Sequence, residues 1–243
     1  MLIIINKEEY LFHLLLQKFN SKKNYICCMK IMIQKLRVNR YLCLFISLIL
    51  LIVTPPFIGN APSARLTHSI FFTILLIATV YLISPHRKIF LVVFVAMIFA
   101  LGFNWLSFAN EKELSIQIPR LIFALIMMLF FFRQVILSIF KAKEINREII
   151  FASLSGYILL GLTGAFLFAL VFNIYPGSFN ISEGREGILT FVYFSFTTLT
   201  TLGFGDIIPL NPQAQSLTVL HSISGQLYLT VLIGMIIGKY LKG

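Results

Sequence analysis

Thr200-Thr201-Leu202-Gly203-Phe204-Gly205-Asp206 lies between two long apolar segments and decides how the rest of the chain reads. A cation that gives up its water must be met by oxygen ligands at several successive levels. A short extended run supplies them when its backbone carbonyls all face one axis. Such alignment needs backbone angles that most residues resist and that Gly203 and Gly205, having no Cβ, reach freely. Thr201 would add a hydroxyl level at the inner end. A lone G-x-G is most often an ordinary turn, so the reading rests on its surroundings. Residues 188–202 are apolar or hydroxyl-bearing throughout. As a helix they would span roughly 22 Å, short of the roughly 30 Å hydrocarbon core of a bilayer. The segment is therefore expected to enter a membrane and return on the same side. Non-helical backbone at that depth must line water or be covered by protein.

Composition agrees with a membrane setting. Hydrophobic residues are 58% of the 243 and charged residues 12%, far from the mix of a soluble domain. Six apolar runs are long enough to be membrane spans: 41–58, 66–84, 89–109, 119–140, 149–173 and 216–238. Pro55 and Pro56 are expected to end the regular part of the first one early. The fold class is thus all-α: a polytopic membrane protein with six transmembrane helices and a re-entrant helix plus loop between helices five and six.

Charge placement gives an orientation. With the N-terminus in the cytoplasm and every span crossing, 16 of the 20 basic residues fall on the cytoplasmic side. Only Arg65, Lys112, Arg120 and Arg185 fall outside, the bias expected of a correct topology. Both termini are then cytoplasmic, and Asp206 faces the external mouth. The net charge of +11 reads as anchorage against an anionic inner leaflet of the lipid bilayer, and no nucleic acid is expected.

Cys27, Cys28 and Cys43 lie in or before the first span and imply no disulfide framework. His13, His68, His86 and His221 have no ligand spacing. There is no nucleophile–base set, phosphate loop or metal-ligand cluster, so neither an enzyme nor a cofactor is expected beyond a permeant ion. Residues 1–40 form a basic segment without the order of a signal peptide, and Met29 or Met32 could equally begin a chain carrying every span. Asn180-Ile181-Ser182 matches a glycosylation triplet that chance supplies often.

Spans one to four, within residues 41–148, form a peripheral unit. In its fourth span Arg120 and Arg133 stand thirteen residues apart with an apolar run between them. A charge moved through the membrane field yields about 2.3 kcal/mol per 100 mV, so steep voltage sensing needs several per subunit. Voltage gating by this helix is not expected.

Residues 149–243 form the second unit. Its outer helix, 149–173, carries Ser155, Gly156, Gly161, Gly164 and Ala165, which let helices approach closely and are expected to face the inner helix, 216–240. Tyr193-Phe194-Ser195-Phe196-Thr197-Thr198-Leu199-Thr200 and the loop that follows resemble the pore helix (188–200) and selectivity filter (201–205) of the potassium channel superfamily. The carbonyl-ring filter of those channels is the established example of the device described above. The resemblance covers roughly 149–241 and extends to Gly225-Gln226-Leu227-Tyr228, as in small prokaryotic ion-channel proteins.

The resemblance implies that Thr201, Leu202, Gly203, Phe204 and Gly205 hold dehydrated K+ in single file. Tyr193, Phe194, Thr197, Thr200 and Asp206 would support them, with Asp206 tying the outer filter to the pore helix. Leu202 and Phe204 depart from the commonest valine and tyrosine. The missing phenolic hydroxyl should leave the filter held less rigidly. Thr197 stands where some relatives place a carboxylate partner for Asp206. Gly225 falls where relatives bend to open, and reads either as a gating hinge or as a close contact. Gly234 and Gly238 are candidates for lower hinges or for contacts near a cytoplasmic gate. His221, one turn before Gly225, reads as a pH sensor or a buried neutral side chain.

One pore loop per chain implies a homotetramer. Because the sequence stops directly after the inner helix, gating is expected from within the membrane, the N-terminal segment or a gating partner. The function expected is passive K+ conduction. The rivals are a non-selective cation channel on the same scaffold, a secondary transporter, and a silent subunit that modifies other channels.

Overall fold

A computed structural model describes residues 40–58, 66–76, 87–109, 114–142, 144–181 and 187–240. The expectations for residues 1–39, for 77–84 of the second span and for His86 lie outside these, as does Ser182. Contacts divide the chain into two units, Met1–Arg40 and Tyr41–Gly243.

Seven helices carry the described residues: α1 Arg40–Phe57, α2 Leu66–Leu76, α3 Arg87–Ala109, α4 Leu114–Lys141, α5 Arg147–Ile174, α6 Ile188–Leu199 and α7 Pro212–Tyr240. Among the described residues there is no extended strand, and an isolated antiparallel bridge pairs Phe179 with Pro209. By length and composition α4, α5 and α7 can each cross a membrane, while α1, α2, α3 and α6 contain shorter apolar stretches. The chain is an all-α polytopic membrane protein.

Helix ends follow local chemistry more than the apolar pattern. Asn146 caps α5, its side-chain oxygen accepting from the Ile149 N–H at 3.0 Å. Asn211 caps α7 in the same way, accepting from the Ala214 N–H at 2.9 Å. Pro212 then takes the first helical position, where a missing N–H costs nothing. The inner helix therefore starts four residues before the expected 216. Two helices also run through proline, the first against expectation. α1 continues through Pro55 and Pro56 to Phe57, its end closed by the Ile58 N–H donating to the Pro55 carbonyl. α4 begins at Leu114, so Pro119 sits inside it and gives up the bond its N–H would have made to Ser115.

Among the described helices, α5 is the hub. It pairs with α4 most extensively, then with α6, and also with α7; α3 packs on α4, and α6 on α7. Leu159, Leu162, Ala165, Phe166 and Phe168 of α5 are buried. In lipid such packing is stabilised by van der Waals fit rather than by expulsion of water, so small residues at the seams matter.

Candidate functional site

α6 is a 12-residue helix, too short to cross, and it ends in a strained loop. The Thr197 carbonyl accepts from both the Leu202 N–H (2.9 Å) and the Gly203 N–H (3.1 Å), while the Thr201 N–H donates to Thr198. The chain is thereby turned back on the helix end. Thr201, Gly203 and Gly205 then have φ of 60°, 53° and 78°, whereas Leu202 and Phe204 keep negative φ. In an ordinary strand successive carbonyls alternate sides. Alternating the sign of φ reverses every second peptide and brings successive carbonyls to one side. A Cβ added at Gly203 or Gly205 would meet nothing within 4 Å in the same chain, so within the chain the glycines are required by φ and not by space. Thr201, a β-branched residue at positive φ, is an outlier that the sequence did not announce.

The loop is open on one side and built up on the other. Leu202 and Phe204 are 58% and 66% exposed, and Thr200 through Asp206 are all exposed within the chain. On the supporting side, the rings of Tyr193 and Phe204 stack with centroids 6.5 Å apart and planes 7° from parallel. The Tyr193 hydroxyl engages the Asp206 carboxylate. Thr197 instead donates its hydroxyl to the Phe194 carbonyl at 3.0 Å, so Tyr193 and not Thr197 reaches Asp206. The Thr200 hydroxyl donates to the Phe196 carbonyl at 2.7 Å. Phe194 points away from the loop into an aromatic cluster with Phe168 and Phe179, their centroids 4.9 and 5.3 Å from its own. Phe179 belongs to the segment after α5. Its bridge to Pro209, and the Leu210 N–H donating to Ser178 at 2.8 Å, tie the far end of the loop to the exit of α5.

Behind α6 lies a buried polar link that joins three helices. Ser195 donates its hydroxyl to the Gly161 carbonyl of α5 at 2.6 Å, and its oxygen stands 2.9 Å from His221 Nε2 of α7. With the hydroxyl proton committed to Gly161, the imidazole is the donor from Nε2. The helices come this close because α5 is small at the seams. A Cβ at Gly161 would strike the Phe196 ring of α6, and one at Gly164 would strike the His221 ring. The small-residue stripe thus serves α6 as well as α7, whereas the sequence placed all of it against the inner helix.

Gly225 lies mid-helix in α7, and a Cβ there would stand 2.6 Å from the Leu199 carbonyl oxygen. The close contact accounts for the glycine without a bend. Gly234 and Gly238 have nothing within 4 Å of an added Cβ. Among the described residues no group of three His, Cys, Asp or Glu side chains could hold a metal ion.

A short apolar helix ending in a loop of alternating φ, set between two long apolar helices, is the arrangement that the sequence leads one to expect of a membrane ion channel. A family profile described as ion channel matches residues 157–242. The voltage-gated potassium channel Kch of Escherichia coli (strain K12) is 33% identical over 78 residues, 30% of this chain and 19% of that protein. The potassium channel protein kcv of Paramecium bursaria Chlorella virus 1 is 31% identical over 64 residues, 24% of this chain and 68% of that protein. No solved structure matches the chain. The chain belongs to the potassium channel superfamily, a family of ion channels and not of enzymes.

Proposed function

We propose that the chain is one subunit of a potassium-selective channel that conducts K+ passively through a filter formed by Thr201–Gly205. The alternating sign of φ at residues 201–205 carries this reading, because successive carbonyls need such an alternation to face one axis. Both named relatives are potassium channels. A single loop offers carbonyls from one direction only, and its exposed Leu202 and Phe204 need cover at membrane depth. Four copies around an axis supply both the remaining ligands and the cover, so the functional species is a homotetramer. The unit 41–148 surrounds the pore unit 149–243. The assembly sits in the cell membrane with both termini cytoplasmic, as the basic residues favour. α4 carries only Arg120 and Arg133 along its apolar length, so opening is not steeply voltage-dependent.

The test is the reversal potential of the purified protein in a planar bilayer, with K+ on one side and Na+ on the other. A reversal near the K+ equilibrium potential, lost in Gly203→Ala, is expected. A reversal near zero would reject selectivity. One observation favours that second reading, a non-selective cation pore: Phe204 has no hydroxyl, and Tyr193, which stacks on it, spends its own on Asp206.

A further inference from the structure

Lys239 lies near the end of α7 remote from the 200–206 loop. Its ammonium donates to the carbonyl oxygens of Ala142 at 2.6 Å, Ile139 at 2.9 Å and Phe140 at 3.5 Å. These carbonyls close the C-terminal end of α4, where a helix leaves its last acceptors without intrahelical donors and carries partial negative charge. An ammonium has three donors, and all three are spent on this one helix end. Higher up, α4 and α7 also meet through Phe132 and Tyr228, whose rings are 6.1 Å apart. The same end of α4 is held from α1, where the Tyr41 hydroxyl bonds to Ser138 Oγ and Ser138 in turn donates to the Gln134 carbonyl.

We propose that Lys239 is a positioning residue for conduction: it clasps the far end of the pore-lining helix to the end of α4, so that the peripheral helices set where that end lies. The proposal rests on α7 lining the ion path, as in the function proposed above, but not on which cation passes. Moving the end of α7 relative to α4 must strip the ammonium of three carbonyls at once. The clasp therefore holds one of two positions of the helix end and biases the balance between open and closed pores. It also gives the peripheral unit a mechanical route to the pore, from Tyr41 through α4 to Lys239.

The test uses full-length protein reconstituted in lipid, comparing wild type with Lys239→Met, Lys239→Arg and Tyr41→Phe. Lys239→Met keeps the length of the side chain and removes every donor. It is expected to shift the open-to-closed ratio by about tenfold or more, as charge-assisted bonds warrant. Unitary conductance and reversal potential stay at wild-type values, and Lys239→Arg restores the ratio. Tyr41→Phe is expected to shift the ratio in the wild type and not in Lys239→Met, because the route is already cut. A purely structural lysine would give additive effects. Hydrogen exchange of residues 136–145 reads the clasp without current: faster in Lys239→Met, unchanged in Lys239→Arg. Ratios within about twofold of wild type, or equal exchange in all variants, would overturn the proposal. A reversal near zero with the Lys239 effect intact would reject potassium selectivity and leave the clasp standing. If Lys239→Met aggregates, Lys239→Gln, which keeps two donors, is measured in its place and is expected to shift the ratio in the same direction by less.

Discussion

Gly225 packs so closely on Leu199 that a methyl group on its Cα would stand 2.6 Å from the Leu199 carbonyl oxygen. The Tyr157 hydroxyl of α5 donates to that same oxygen at 3.4 Å. The C-terminal end of α6 is therefore wedged between the two long helices. Gly225→Ala is expected to push the end of α6 and disturb the loop that leaves it, at about 1–3 kcal/mol for forced overpacking. The K+/Na+ permeability ratio should fall, and thermal stability of the assembly should drop with it. If Gly225 is only a hinge, opening alone would change and the permeability ratio would stay as it was.

Ser195 is the middle of the link from Gly161 to His221, and it is fully buried. Ser195→Ala leaves an imidazole N–H and a main-chain carbonyl without that partner. An orphaned buried group costs about 1–3 kcal/mol, so melting should come several degrees lower. His221→Gln, whose amide can still donate towards Ser195, should lose less than His221→Leu. Equal melting temperatures for all three variants and wild type would show that the link contributes nothing.

Tyr193 supports the outer part of the loop twice, by stacking on Phe204 and by its hydroxyl on Asp206. Tyr193→Phe keeps the stack and deletes the hydroxyl. If that bond holds the loop in its conducting form, its loss at about 0.5–1.5 kcal/mol should speed inactivation by about 2- to 12-fold. Phe204→Tyr restores the hydroxyl that the sequence lacks and should slow inactivation below the wild-type rate. Macroscopic current decay in the three proteins decides this, and indistinguishable decay would mean that neither hydroxyl position controls the loop.

The all-helical membrane fold was legible because apolar runs the length of a bilayer admit few alternatives, and α3, α5 and α7 lie close to where those runs predict. Helix ends were less legible where two rules competed. Pro55 read as a boundary because proline disfavours helix interiors, yet it lies in the last turn of its helix, where one lost bond is tolerated. Asn211-Pro212 was a readable start signal that the apolar count passed over. Gly203 and Gly205 announced positive φ by their type, whereas Thr201 could not, since its conformation comes from the hydrogen bonds that the Thr197 carbonyl accepts. The aromatic cluster of Phe168, Phe179 and Phe194 is long-range, and no local spacing encodes it. Lys239 read as one more anchoring charge, because a lysine's partners depend on where a distant helix ends.

Gly203 and Gly205 separate two ways in which a glycine can be required. At Gly225 the neighbour forbids a side chain, but at Gly203 and Gly205 an added Cβ would meet nothing within 4 Å in the same chain, and within that chain the positive φ is what resists it. An L-residue held in that region costs about 1–2 kcal/mol. The loop can relieve this by turning a peptide over, which takes one carbonyl off the common side. Gly203→Ala and Gly205→Ala should therefore leave the fold of each chain almost unchanged, since no packing within it is disturbed, yet remove selective conduction. Thr201 already bears such strain, so Thr201→Gly should keep the loop geometry while losing the hydroxyl level, with weaker K+ binding as the result. Size-exclusion profiles and reversal potentials of the three variants distinguish these outcomes. Alanine variants that stay fully K+-selective would mean that the sign of φ at residues 203 and 205 does not govern which ion passes.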